Sequence, residues 1–201
     1  MQPSLDTSAA QDAPVSLAQD APVSLGQIVW RDVPTPFTAL VVAATSAGLV
    51  CVSFDGRGAT LRSLARHGEL RAAGPSENSA ADAVAHAAAA QIGEWARGER
   101  ETFDVPLDWS LTSGPQQRVL RVLYDTVPFG QTVTYGELAD RSGIPGGARL
   151  VGQIMGSNPI PVVVPCHRVL ATDGLGGYGP GIEFKRRILV LEGVLQPSLF
   201  D

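Results

Sequence analysis

The chain has 201 residues, 44% of them hydrophobic, and a formal net charge of −5 at pH 7. That is enough for one large domain or two small ones with real cores. No run of about 18 apolar residues is present to cross a membrane, and Met1–Gln27 lacks the basic start and apolar centre of a secretory leader, so a cytoplasmic location is expected. The two cysteines, Cys51 and Cys166, exclude a disulfide framework and a four-cysteine zinc site. His67, His86 and His167 sit at no usual ligand spacing, so neither a metal nor a cofactor is expected. The charge is uneven: residues 1–113 hold 7 basic and 13 acidic side chains, residues 114–201 hold 8 and 7. A basic half can meet phosphates while an acidic half faces away, with modest affinity for nucleic acid.

In chain order, the first feature is a tandem repeat: AQDAPVSL over 10–17 and again over 18–25. Two short copies cannot stack into a solenoid, and the Ala, Asp, Pro and Ser content predicts a disordered tail over 1–26. Residues 27–107 read as a small α/β domain, a small antiparallel sheet with helices, and show no evident catalytic cluster. In it, Phe37–Thr45 and Leu49–Asp55 are apolar runs around a turn at Ser46-Ala47-Gly48, which predicts an antiparallel hairpin. A short helix is expected over 59–67. A longer Ala-rich helix is expected over 79–97, capped by Ser79 and stopped by Gly98. Phe103–Leu107 reads as an edge strand. Residues 108–114 read as a linker.

From residue 115 to 201 helix signals dominate, and a mainly α domain is expected. Pro115 opens a helix that runs to Thr126, with Val119, Leu120, Val122 and Leu123 inward. Thr134-Tyr135-Gly136-Glu137 has the form of a capping box for a helix reaching Arg141. A turn over 143–147 leads to a second helix over 147–155, and the pair is a helix-turn-helix candidate.

The sharpest local feature is Pro165-Cys166-His167-Arg168, directly after the apolar run Ile160–Val164. A free cysteine is commonly just a small buried hydrophobe. Here a strand-like run fixes its place, a histidine adjoins it, and the glycine-rich stretch 174–181 follows. Neighbours on an extended strand point to opposite faces, which argues against a direct Cys–His pair of the hydrolase type. The glycine-rich stretch lacks the Lys-Ser/Thr of a phosphate loop, and no second cysteine follows at a zinc-deaminase spacing.

Residues 115–192 resemble the O6-alkylguanine-DNA alkyltransferases, the methylated-DNA–protein-cysteine methyltransferases. The resemblance rests on Tyr135-Gly136-Glu137-Leu138-Ala139, Ala148-Arg149, Gly152, Asn158-Pro159, the block Pro165–Val169, Gly177-Tyr178 and Leu191-Glu192-Gly193, in order and at matching spacing. Thr35-Pro36 with the hairpin, and Leu199-Phe200-Asp201, are similar to the family more loosely.

The resemblance implies single-turnover transfer of an alkyl group from O6-alkylguanine in duplex DNA, and from O4-alkylthymine, to Cys166. It implies that His167 is the base, acting through a water, and that Glu192 orients it. Tyr135 crowds the phosphate and is a proton donor to the departing guanine. Arg149 fills the gap left by the flipped nucleotide, and Ala148 and Gly152 let the second helix approach the minor groove. Tyr178, Val169 and Gly179 contact the base, and Asn158 couples the second helix to the cysteine segment. A monomer is expected, with cooperative binding along DNA left open. Leu120 stands where many relatives carry Trp, and Gly179-Pro180 where Ser-Gly is common. The alternative reading is a non-enzymatic sensor of alkylated DNA, a type that lacks the acceptor cysteine.

Overall fold

The computed structural model describes residues 23–75 and 78–197. Most of the repeat tail, and Leu199-Phe200-Asp201, lie outside the described residues.

The N-terminal half is a four-stranded sheet covered by one long helix. The strands are β1 (Gly26–Val33), β2 (Leu40–Thr45), β3 (Gly48–Ser53) and β4 (Gly68–Ala72). The expected hairpin is β2–β3, antiparallel, with Val42 opposite Val52. The expected antiparallel sheet is corrected to a mixed one. Helix α1 (Arg57–Leu64) carries the chain across, so β4 pairs parallel to β1 and the order is β3-β2-β1-β4. Helix α1 also begins and ends earlier than expected.

Helix α2 (Ala80–Ala96) starts where Ser79 accepts the Asp82 N–H at 3.2 Å. Its buried face, Ala81, Ala85, Ala88 and Ile92, follows the helical period. Small alanines let the backbone lie close to Val29 and Ala44 of the sheet.

The edge strand expected over 103–107 does not form. A single bridge joins Leu107 to Leu49. Pro106 has no N–H to offer a ladder, so its carbonyl accepts the Leu49 N–H at 2.8 Å and the pairing stops. The approach is close: a Cβ on Gly48 would stand 2.5 Å from the Pro106 oxygen. Residues 108–114 are tied to the sheet, since buried Asp108 accepts the Thr45 hydroxyl at 2.5 Å.

The C-terminal half holds α3 (Gly114–Thr126), α4 (Tyr135–Arg141), α5 (Ala148–Gly156) and α6 (Ile182–Leu191), with two-residue strands β5 (Val133–Thr134) and β6 (Val169–Leu170) paired in parallel. The capping box is present. Glu137 accepts the Thr134 N–H at 2.8 Å, and Thr134 accepts the Glu137 N–H at 3.2 Å. One buried apolar cluster runs through both halves. It joins Leu49 and Val52 of β3, Ile92 of α2, Leu120 and Leu123 of α3, and Val151 and Ile154 of α5 to the segment around Cys166.

The run 160–164 is not a strand. It is a chain of tight bends in which buried Val162 has φ 75°, a left-handed conformation that a β-branched residue adopts only under strain of about 1–3 kcal/mol. Two backbone bonds, Val164 N–H to Ile160 at 2.8 Å and Val52 N–H to the Pro159 carbonyl at 2.9 Å, help hold it. Cys166–Arg168 then form a single 3₁₀ turn. The opposite-face argument for Cys166 and His167 therefore does not apply.

Candidate active site

Cys166 lies at a cavity of about 390 Å³. The short strained segment before it leaves the thiol 5% exposed. Asn158 fixes that segment from within: its Oδ1 accepts the Ile160 N–H at 3.0 Å and its Nδ2 donates to the Val164 carbonyl at 2.8 Å. Asn158 directly follows Ser157, the residue that caps α5. Burial pushes the Cys166 thiol above its ordinary value, while Asn158 and the charge of Lys185 pull it back toward the thiolate.

Behind the thiol is a buried charged cluster. His167 Nε2 lies 2.9 Å from Glu192 Oε1. Arg168 grips the same carboxylate as a fork, Nε to Oε2 at 2.8 Å and Nη2 to Oε1 at 2.9 Å, and gives Nη1 to the Val127 carbonyl at 2.8 Å. Trp95 adds its indole N–H to Oε1 at 3.2 Å. Burial alone would raise Glu192, but the hydrogen bonds from His167 and Arg168, with the Arg168 charge, outweigh it and bring the carboxyl down to about 2.

An ionised Glu192 only accepts, so the His167 proton sits on Nε2. Burial pushes His167 below its ordinary value, so the ring is held neutral. Nδ1 then carries the lone pair, and it has no protein partner among the described residues. A neutral imidazole with one nitrogen clamped and the other free is a base.

A second buried cation sets the glycine-rich loop. Lys185 of α6 is fully buried and donates to the carbonyls of Val169 at 2.7 Å, Leu175 at 2.5 Å and Gly177 at 3.3 Å. Burial lowers it to about 8. The loop bends at Gly176 (φ 70°), where a Cβ would stand 2.9 Å from the Tyr135 ring. Tyr135 in turn donates its hydroxyl to the Gly177 carbonyl at 3.4 Å.

Tyr135, Gly152, Asn158, Tyr178 and Gly179 all line the cavity with Cys166. The Tyr178 hydroxyl is buried without a protein partner among the described residues. Val169 does not join them. Its side chain is fully buried, its N–H donates to the Cys166 carbonyl and its carbonyl accepts from Lys185 at 2.7 Å. Ala148 and Arg149 lie exposed at the start of α5, away from the thiol.

Sequence reasoning missed Trp95, Arg168 and Lys185 as parts of the site, and Phe54 and Asp55 as parts of the cavity wall. Arg168 had a signal in the motif itself, and Lys185 was visible as a lone lysine amid arginines.

A family model described as the DNA-binding domain of 6-O-methylguanine DNA methyltransferase matches residues 114–194. The methylated-DNA–protein-cysteine methyltransferase of Mycobacterium tuberculosis (strain ATCC 25618 / H37Rv) is 49% identical over 115 residues, covering 55% of this chain and 68% of its own. That of Methanopyrus kandleri is 39% identical over 111 residues, covering 55% of this chain and 82% of its own. The crystal structure of the Mycobacterium tuberculosis O6-methylguanine methyltransferase superposes with a TM-score of 0.67 at 34% identity, over 87% of this chain and 99% of that one. The Mycobacterium tuberculosis OGT in complex with DNA does so with 0.67 at 34%, over 82% and 93%.

Proposed function

The chain belongs to the methylated-DNA–protein-cysteine methyltransferases, and on that premise we propose that Cys166 is the thiol that takes the alkyl group from O6-alkylguanine in duplex DNA. Repair of alkylated DNA by transfer to a cysteine is the activity of the chain, and DNA is its partner. The specificity for the O6 position, with O4-alkylthymine as a second substrate, and the residue roles below are our reading.

The observation that carries it is the thiol at the cavity wall together with a neutral His167, clamped at Nε2 and free at Nδ1. His167 draws the Cys166 proton through one bridging water. Glu192 holds the ring and stabilises the imidazolium that forms, the nucleophile–base–orienter logic of hydrolase triads. The thiolate attacks the alkyl carbon bonded to O6, forming an S–C bond and breaking the bond between that carbon and O6. The electron pair stays on the base, which regains its carbonyl and takes up one proton, with Tyr135 as donor.

A thiol this buried cannot reach a stacked base, so the nucleotide is turned out of the duplex. We assign α4 and α5 as a helix-turn-helix, with residues 115–201 as the DNA-facing unit and 27–107 as its support. Arg149, exposed at the start of α5, fills the gap, and Ala148 and Gly152 keep that surface low enough for the minor groove. The free Tyr178 hydroxyl and the Gly179 backbone meet the flipped base. The cavity thiol argues against the non-enzymatic sensor.

Intact-mass measurement after mixing with an O6-methylguanine duplex tests the reading. A gain of one methylene on the peptide holding Cys166 is expected. A gain on Cys51, or none, contradicts it.

A further inference from the structure

The cavity wall comes from both halves of the chain. The C-terminal half supplies aromatic, glycine and proline surface around the thiol, and the end of β3 with the turn after it supplies Val52–Asp55. Among the described residues, Asp55 is the only charged side chain lining the cavity. Its carboxylate takes part in no ion pair among those residues, because the cation nearest in sequence, Arg57, is committed to Asp32. The turn itself is fixed. The Asp55 N–H donates to Ser53 Oγ at 3.1 Å, and the Ser53 hydroxyl donates back to Asp55 Oδ2 at 3.4 Å. Phe54 packs edge-on against Tyr178 with ring centroids 6.4 Å apart, and against Phe184 at 5.0 Å. The turn is thereby held against the loop that carries the opposite wall, so an uncompensated negative charge has a set place at the substrate cavity.

We propose that Asp55 makes this cavity select among O6 substituents by charge. Groups ending in an ammonium are favoured, and groups ending in a carboxylate are disfavoured, relative to a neutral group of the same length. This rests on the reading that the cavity receives the flipped O6-alkylguanine. Helix α5 lines the cavity with Gly152, Met155 and Gly156. A base delivered past that helix turns its O6 atom toward Cys166, and the far end of a long substituent continues toward the wall of residues 52–55. The chemistry is the same for every group: Sγ–C forms, C–O6 breaks, the electron pair leaves with guanine, guanine gains a proton at N1 from Tyr135, and the proton that Cys166 passed to His167 restores Tyr135 through solvent. Only the field at the distal end differs. Unit charges a few ångströms apart beside an open wall alter a rate about three- to tenfold, and salt screens the effect.

The test uses the full chain and duplexes carrying one O6-(4-aminobutyl)-, O6-(4-hydroxybutyl)- or O6-(3-carboxypropyl)guanine, with each single-turnover rate divided by the hydroxybutyl rate. This ratio removes any general effect on folding or DNA binding. Asp55→Asn should lower the aminobutyl ratio and raise the carboxypropyl ratio, each about three- to tenfold. Asp55→Lys should carry both further in the same direction, and 1 M salt should bring the unaltered protein toward Asp55→Asn. Ratios unchanged within about twofold in both variants overturn the proposal, and so does a common slowing of all three groups. Failure of the unaltered protein to transfer a methyl group from an O6-methylguanine duplex run alongside overturns the alkylguanine reading beneath it, and the proposal falls with it; transfer of methyl but not of hydroxybutyl overturns the proposal alone.

Discussion

Trp95 of α2 donates its indole N–H to Glu192 Oε1 at 3.2 Å across 97 positions of sequence. The N-terminal half, which carries no nucleophile in this account, thus completes the carboxylate that holds His167. Trp95 also packs beside the imidazole, with ring centroids 6.2 Å apart. Trp95→Phe keeps an aromatic ring and removes the donor. A hydrogen bond to a charged group contributes about 1.5–3 kcal/mol, so urea unfolding should show a loss of that size and the transfer should slow. Unchanged stability together with an unchanged rate would mean that the bond is incidental.

Glu192 links the site to acid stability. Its carboxyl lies at about 2, below the ordinary 4.5. A carboxyl lowered in the folded state stabilises fully above its unfolded value and loses that contribution as pH falls toward its folded value. The difference corresponds to about 3 kcal/mol, lost between roughly pH 4.5 and pH 2. Glu192→Gln should flatten the stability curve across that window. At pH 7 it should cost about 3–5 kcal/mol, because Arg168 is left buried without its counter-charge. Parallel pH curves for the two proteins would contradict the assignment.

What the sequence made legible follows from the range of the interactions. The capping box at Thr134 and Glu137, the Ser79 cap and the Pro115 start are local signals, and each lies where the sequence predicts. The block 165–168 and the tyrosines were readable because the motif is contiguous and the family pattern is specific. The Arg168 fork on Glu192 spans 24 positions and the Trp95 bond 97, and neither leaves a periodicity to read. Strands β1 and β4 escaped for a similar reason. Their pairing is parallel and depends on the α1 crossover, and β4 has no fully buried residue to mark it. The bend at Val162 runs against the preference of its own residue type, so only tertiary packing could reveal it.

The two thiols should separate cleanly. Cys166→Ala is expected to abolish transfer while leaving duplex binding nearly intact, since phosphate contacts come from elsewhere on the chain. Cys51 is half-buried on β3, and burial with the nearby Asp55 charge pushes its thiol up to about 12. It is held as an unreactive thiol, so Cys51→Ser should leave the rate within about twofold. Transfer that survives Cys166→Ala sinks the assignment.

Arg149 offers a separation of binding from chemistry. It is exposed on α5 and does not line the cavity. Arg149→Ala should slow repair of duplex DNA at least tenfold more than reaction with free O6-benzylguanine, a base that needs no flipping; this corresponds to about 1.4 kcal/mol or more. Equal losses on both substrates would make Arg149 a structural residue.

The central claim is that the alkyl group ends on Cys166 and stays there. The product is a thioether without a good leaving group, and among the described residues no other cysteine lines the cavity to accept it. Titration of the protein with a large excess of duplex carrying radiolabelled O6-methylguanine measures this most directly. The account predicts a single burst of label transfer, equal in moles to the protein and carried on Cys166, with no later phase. Continued turnover past one equivalent would contradict it.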